Sequence, residues 1–341
     1  MPLVSDIRRP SRKDPVVRRI VSSWRRLTGG RGVRDEKRTT LVACSGGADS
    51  SALLLALSTV SARARIEAAH VLHDMRPRAE AMADAERTAE FCAQLGVVLH
   101  EGRVTVAELR GNTESNARRC RYAELARIAR SARCGTVATG HHADDQLETV
   151  LMRMIRGAGA RGMSGIHSRR ALDGCMLIRP MLGVTHADAE ALCWRCGWVW
   201  AEDRTNKDVS RLRAALRSRV LPAIREIEPR AALHAVRTAR AVGSAHDAVA
   251  ARASALESGA DRDENTIFFS RNMLRNEEPA VLAELIFRLH HSKSGGGRRD
   301  RIGQHSLNAC IGGISDQSGE SRCYELGGLS VRVEATFVSF S

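Results

Sequence analysis

The stretch LVACSGGADSSALLLAL, residues 41–57, decides the fold. A short apolar run, Leu41-Val42-Ala43-Cys44, leads into paired glycines and then a Leu/Ala pattern that reads as helix. In a strand–turn–helix unit of this kind, backbone N–H groups at the helix N-terminus hold phosphate oxygens. The usual GxxxxGK[ST] loop also supplies a lysine for the terminal phosphates. Here the segment is Ser45-Gly46-Gly47-Ala48-Asp49-Ser50, with an acid in place of the lysine. Gly46 and Gly47 allow close approach of backbone to an anion, and Ser45 and Ser50 add hydroxyl donors. Such a loop is poorly suited to steadying a transferring γ-phosphate. It suits a pyrophosphate that stays behind while the α-phosphorus is attacked, with Asp49 ligating a Mg²⁺ set between itself and the phosphates. The plain alternative is a serine/glycine turn. The position after a strand and before a helix weighs against that alternative.

Outward from this stretch, residues 40–180 alternate short apolar runs with amphipathic segments. TTLVAC, IEAAHVLH, VVLHEGRVTV and GTVATGHH read as strands, and 49–60, 78–95 and 115–132 carry helical periodicity. That alternation predicts an α/β fold with a doubly wound parallel sheet. Ligands sit beyond the C-terminal strand ends of such a sheet, where polar motifs at 45–50, 73–76 and 140–148 all fall. Further on, 185–197, 211–219, 230–257 and 278–290 read as helices, HSKSGGGRRDRIG as a basic loop, and CYELGGLSVRVEATFVSFS as a small hairpin. The expected organisation is a basic N-terminal arm or helix over 1–38, a nucleotide-binding domain over 39–222, and a second, mostly helical domain over 223–341 that ends in the hairpin.

The totals narrow the class. The 341 residues carry 53 Lys+Arg against 39 Asp+Glu, a formal net charge of +14 that argues for a polyanionic partner. Two tyrosines and six phenylalanines are too few for an aromatic platform stacking single strands, so RNA held through phosphates and shape fits better. Nine scattered cysteines without framework spacing point to reduced thiols in the cytoplasm. No run is long and apolar enough to span a bilayer. The first residues show no signal-peptide core, and Asp6 and Asp14 argue against a transit peptide.

A second motif, TGHHADDQLETV over 139–150, sets His141, Asp145 and Glu148 at spacings of four and three, on one face of a helix starting there. Asp144 reads as its cap or first-turn acid. Such a cluster could hold Mg²⁺ or the amines of a substrate, or be a capped helix with a solvated acidic turn. Zinc is disfavoured, because the HExxH register is missing and no cysteine pair lies nearby.

SGGxDS after a first strand resembles the signature of the PP-loop ATP pyrophosphatases. The fuller set is similar to the tRNA(Ile)-lysidine synthetases: SGGADS, VLHDMRPRAE, NTESNARRCRYAEL, TGHHADDQLETVLMRMIRGAGARGMSGI, IRPML and EDRTNKDVSRLRAALRSRVLP, in order over 41–222. The resemblance implies an ATP- and Mg²⁺-dependent ligase that joins free lysine to the wobble cytidine of the isoleucine tRNA with a CAU anticodon, through an adenylated base. It places Ser45, Gly46, Gly47, Ala48, Asp49, Ser50, His73 and Arg76 at ATP, and His141, Asp145 and Glu148 at lysine and the adenylate. Arg118, Arg119, Arg161, Asn206, Arg213 and Arg217 fall to the tRNA, with Arg121 on the same basic face as Arg118. Within the family's HGLR segment, Asp74 replaces glycine and Met75 leucine. In the later element, Arg204 replaces proline and Ala214 asparagine.

Arg213 and Arg217, four apart on a helix, repel one another, which favours a bound anion over idle surface. Cys193-Trp194-Arg195-Cys196 admits a rival, since related PP-loop tRNA thiolases use cysteine pairs. A single CxxC in a Trp-rich helical segment is more often core. A degenerate, non-catalytic PP-loop RNA-binding protein is the third reading. The oligomeric state stays open, a homodimer being compatible with the sequence.

Overall fold

This computed structural model describes residues 7–30, 32–60, 64–74, 77–107, 109–111, 113–200, 212–293 and 302–341. Two compact units divide the chain, Met1–Arg240 and Ala241–Ser341.

The first unit opens with α1 (Pro15–Leu27), capped by Asp14, whose carboxylate accepts from the N–H groups of Val16 and Val17 at 2.8 and 3.3 Å. Proline at the first helical position costs no hydrogen bond there. α1 buries Val16, Val17, Ile20, Val21, Trp24 and Leu27. The N-terminal segment is therefore part of the core, and Trp24 Nε1 donates to Thr40 Oγ1 at 3.0 Å.

Next come β1 (Thr39–Ala43), α2 (Ala48–Ser58), β2 (Arg65–His73), α3 (Arg78–Leu95), β3 (Leu99–Val104), α4 (Thr113–Ser131) and β4 (Thr136–Ala138). All four expected strands and three expected helices are present, with α3 at its expected bounds. α2 is apolar all round, with Leu53, Leu54, Leu55 and Leu57 fully buried, as befits a helix enclosed on every side.

The chain continues through α5 (Ala143–Ile155), α6 (Ala160–Met163), β5 (Arg169–Leu172), β6 (Cys175–Ile178) and α7 (His186–Arg195). Beyond it, α8 (Leu212–Ala215) runs through a π-helical turn at Leu216–Val220 into α9 (Leu221–Ile227). The sheet order is β3-β2-β1-β4-β6-β5, parallel throughout except for the β5–β6 hairpin at one edge. The chain reverses its direction of travel across the sheet between β1 and β4, where a doubly wound sheet opens its ligand crevice.

α10 (Ala231–Ser258) spans the division between the units. The second unit adds β7 (Asp261–Arg262), β8 (Ile267–Ser270), α11 (Arg271–Arg275), α12 (Pro279–Lys293), α13 (Gln304–Ser315), β9 (Arg322–Glu325), β10 (Ser330–Val333) and β11 (Phe337–Phe340). The tail expected as a hairpin is three strands of a five-stranded antiparallel sheet, order β7-β8-β11-β10-β9. Arg271, 1% exposed, sits inside this unit with its guanidinium donating to the carbonyls of Gly313, Ile314, Asp316 and Glu334.

Candidate active site

The glycine turn after β1 is built as its sequence requires. Gly46 adopts φ +83°, open to glycine at little cost, and Gly47 opens α2. Ser50 Oγ accepts from the Ser45 N–H at 3.1 Å and donates to the Gly47 carbonyl at 3.1 Å, closing the loop on itself. The turn after β4 comes so close that a Cβ on Gly140 would lie 3.0 Å from the Asp49 carbonyl carbon and the Ser50 nitrogen. Only glycine lets the two motifs touch. They share one cavity of about 370 Å³, whose lining includes Ser45, Asp49, Ser50, His73, His141 and Asp145. Arg118, Arg121 and Arg213 also border it.

α5 starts at Ala143, so His141 precedes the helix and does not share a helical face with Asp145 and Glu148 as the spacing implied. His142 is its cap, its backbone N–H donating to Asp145 Oδ2 at 3.2 Å while the Asp145 nitrogen lies 3.4 Å from His142 Nδ1. Asp144 is a first-turn acid. Its carboxylate accepts from the His186 backbone N–H at 2.7 Å and from Arg225 at 2.9 Å. Asp145 faces the cavity. Glu148 lies behind it, 2% exposed, accepting from Arg213 Nε at 2.8 Å and from Arg217 Nε. Arg213 and Arg217 also donate to Asp145 Oδ1, at 3.0 and 3.2 Å. The anions that the arginine pair demanded are therefore the protein's own carboxylates.

Two functional side chains escaped the sequence reading. His186 Nδ1 lies 2.9 Å from Asp49 Oδ1, and His142 Nε2 lies 3.4 Å from Asp49 Oδ2. His142 could have been found as the residue before the helix. His186 stands 137 positions from Asp49 and left no signal.

Burial alone would raise the Asp49 carboxyl, but hydrogen bonds and charge from His142 and His186 overcome it and hold the group well below the usual carboxylate range. For His142 burial opposes the charge. Hydrogen bonds to Asp144 and Asp49 outweigh it and hold the imidazole at about 10. The bond to Asp49 likewise raises His186. His141 goes the other way. Burial, with the charges of Arg179, Arg118 and Arg213, outweighs Asp145 and lowers it to about 3, so the ring is neutral. Its Nδ1 pairs with Thr139 Oγ1 at 2.9 Å, and its Nε2 stands 3.5 Å from Arg118 Nη2.

The remaining expected residues separate. Arg119 is exposed and donates to Asn116 at 3.2 Å, away from the cavity lining. Arg161 is exposed on α6, in a loop tied to α5 by Gln146, whose Oε1 accepts from the Ile166 N–H at 2.6 Å. Asp74, in place of glycine, accepts from the Val106 and Ala107 N–H groups at 2.7 and 3.2 Å and pins the turn after β2 to the end of β3. Arg76 and Asn206 lie outside the described residues. Cys193 and Cys196 are buried with their pKa raised by burial, Cys196 to about 11. These thiols are protonated core groups. A second cavity, of about 520 Å³, is bordered by Arg19, Arg230, Arg237 and Arg240.

The crevice between β1 and β4, floored by a glycine loop with an acid in place of lysine, defines a PP-loop protein. A PP-loop domain family model matches residues 19–224. A tRNA(Ile)-lysidine synthase from Salinispora arenicola is 33% identical over 294 residues, covering 85% of this chain and 87% of that one. The chain belongs to the tRNA(Ile)-lysidine synthase family. A relative of the same name from Pseudomonas syringae is 39% identical over 209 residues, covering 61% of this chain and 46% of its own. The chain thus spans about half the length of the first curated relatives it matches. Among solved structures, the U34-tRNA thiolase NcsA from Methanococcus maripaludis, with its [4Fe-4S] cluster, superposes with a TM-score of 0.55 at 17% identity. That match covers 68% of this chain and 81% of the thiolase, a likeness of fold alone. Among the described residues no helix is long and apolar enough to cross a membrane.

Proposed function

We propose that this chain uses ATP to join free lysine to the wobble cytidine of the CAU-anticodon isoleucine tRNA, giving lysidine, AMP and pyrophosphate. The convergence of the SGGADS loop and Asp145 on one cavity carries this reading. In the first step the C2 carbonyl oxygen of the cytidine attacks the α-phosphorus of ATP, and pyrophosphate leaves. In the second the lysine ε-amine attacks C2, and AMP departs with that oxygen.

Ser45, Gly46, Gly47, Ala48 and Ser50 cradle the departing pyrophosphate through backbone N–H and hydroxyl groups. Asp49 and Asp145 both line the cavity. One or two carboxylates plus substrate phosphates make an ordinary Mg²⁺ site, so the residues fit that ion. Mg²⁺ held there supplies charge neutralisation to the leaving phosphates. Asp145 accepts the lysine ammonium, while Arg213 beside it disfavours the charged form and so favours the attacking amine. Neutral His141 offers a hydrogen-bond acceptor without adding another cation. His73 lies at the nucleotide.

Arg118, Arg119, Arg121 and Arg161 meet tRNA phosphates, with Arg230, Arg237 and Arg240 as a second contact. We further propose that the enzyme works in the cytoplasm and that 223–341 carries additional tRNA contacts.

The test is pyrophosphate release from ATP with a CAU-anticodon isoleucine tRNA transcript, followed by lysine-dependent AMP release. Expected is RNA-dependent release with lysine incorporated into the transcript. No release, or incorporation from a sulfur donor instead, overturns the reading.

A further inference from the structure

Asp49, His142 and His186 bring three ligand atoms within 4.8 Å of one another. The contacts to Asp49 are 2.9 Å from His186 Nδ1 and 3.4 Å from His142 Nε2. Zn²⁺ holds nitrogen and oxygen ligands at about 2.0–2.2 Å in a tetrahedral array, which sets neighbouring ligand atoms about 3.4 Å apart. The two contacts to Asp49 bracket that separation, and the third lies within 4.8 Å.

The outer shell points the same way. His142 Nδ1 lies 3.5 Å from Asp144 Oδ2, and His186 Nε2 lies 3.4 Å from Glu190 Oε1. Each imidazole thus stands between Asp49 and a second carboxylate, the order in which metal-bound histidines are oriented and made more basic. Two imidazoles with one carboxylate suit Zn²⁺, Co²⁺ or Ni²⁺ better than Mg²⁺, which prefers oxygen. Asp49 borders the cavity, the side from which a water or a phosphate oxygen would supply a fourth ligand.

We propose that Asp49, His142 and His186 form a binding site for a borderline divalent transition-metal ion. Zn²⁺ bound there takes Asp49 out of reach of Mg²⁺, so the site is a point at which such ions control nucleotide use.

The experiment titrates the full chain, free of nucleotide and RNA, with Zn²⁺ by calorimetry and with Co²⁺ by visible absorption. Its outcome is separate from whether the chain makes lysidine. Expected is one ion per chain, with the intense visible bands of four-coordinate Co²⁺ and no sulfur-to-cobalt charge-transfer band in the near ultraviolet. Glu190→Gln should weaken Zn²⁺ binding about tenfold and His186→Ala at least as much. His186 is 43% exposed at its side chain, so its replacement leaves the core intact, while Cys323→Ser changes nothing. A thiolate band, or a Zn²⁺ affinity that His186→Ala and Asp49→Asn both leave unchanged, overturns the proposal.

Discussion

Replacing Glu148 by glutamine removes the counter-charge of two arginines while nearly preserving shape. Glu148 accepts from both Arg213 and Arg217, which stand one helical turn apart and repel one another. A hydrogen bond to a charged group nets about 1.5–3 kcal/mol. The arginine side chains are 34% and 37% exposed, so water screens them and the lower end applies to each bond. Two such bonds give a ceiling of about 3 kcal/mol, and the glutamine oxygen recovers part, leaving a loss of about 2 kcal/mol. All four tryptophans, Trp24, Trp194, Trp198 and Trp200, lie in the first unit, so their fluorescence during urea unfolding reports that unit by itself. The midpoint should fall at constant slope. In a double-mutant cycle with Arg217→Gln, the coupling should be about 1–1.5 kcal/mol, whereas a value under about 0.4 kcal/mol, within ordinary non-additivity, would refute the argument.

Asp49→Asn should abolish pyrophosphate release even at saturating Mg²⁺, and wild-type turnover in that assay removes Asp49 from the step. Gly140→Ala should cost about 1–3 kcal/mol and most of the activity, because its methyl group meets the Asp49–Ser50 backbone at 3.0 Å; a neutral effect in urea unfolding contradicts the close approach. His142, held at about 10, contributes stability that is full below its unfolded value of about 6.5 and lost as pH rises through the folded one. Unfolding free energy should therefore fall by a few kcal/mol from neutrality towards that pH, and His142→Gln should flatten the slope; a parallel profile in the variant assigns the slope to other groups. Arg237→Ala with Arg240→Ala should weaken tRNA binding and reduce the salt slope of log K by about 1–2, with ATP affinity unchanged. An unaltered slope excludes the second cavity from the RNA surface.

Local signals carried the nucleotide loop and the sheet. The paired glycines announced the turn, and the 3.6-residue period over 78–95 gave α3 at its observed bounds. Short elements carried too little period to be seen. β7 has two residues, β8 four, and β5 is an edge strand of exposed arginines. The β5–β6 hairpin did leave a mark in Asp173-Gly174, both at positive φ, a pair that makes a two-residue turn. The N-terminal segment reads as a basic arm or a helix, and the arginines of α1 obscured the choice by masking Val17, Ile20 and Trp24 on the opposite face. The arginine pair at 213 and 217 was legible as a demand for an anion. Which anion was not, since Asp145 and Glu148 stand 65 to 72 positions away.

That distance has a physical consequence. Asp144, Asp145 and Glu148 are buried in the first turns of α5, and a buried carboxylate without a cation takes up a proton instead of keeping its charge. The cations come from elsewhere: Arg213 and Arg217 from α8 and the π-helical turn, Arg225 from α9, and His142 from the cap. Against that burial, His142 does most to hold Asp144 and Asp145 below the usual carboxylate range, and the segment 212–227 adds Arg225 to Asp144 and Arg213 to Asp145. Asp145 is thereby kept a carboxylate, as the proposed contact with a lysine ammonium requires. The basic helices after the sheet are accordingly electrostatic components of the site, and removing them should silence it even where the loop at Ser45–Ser50 stays intact.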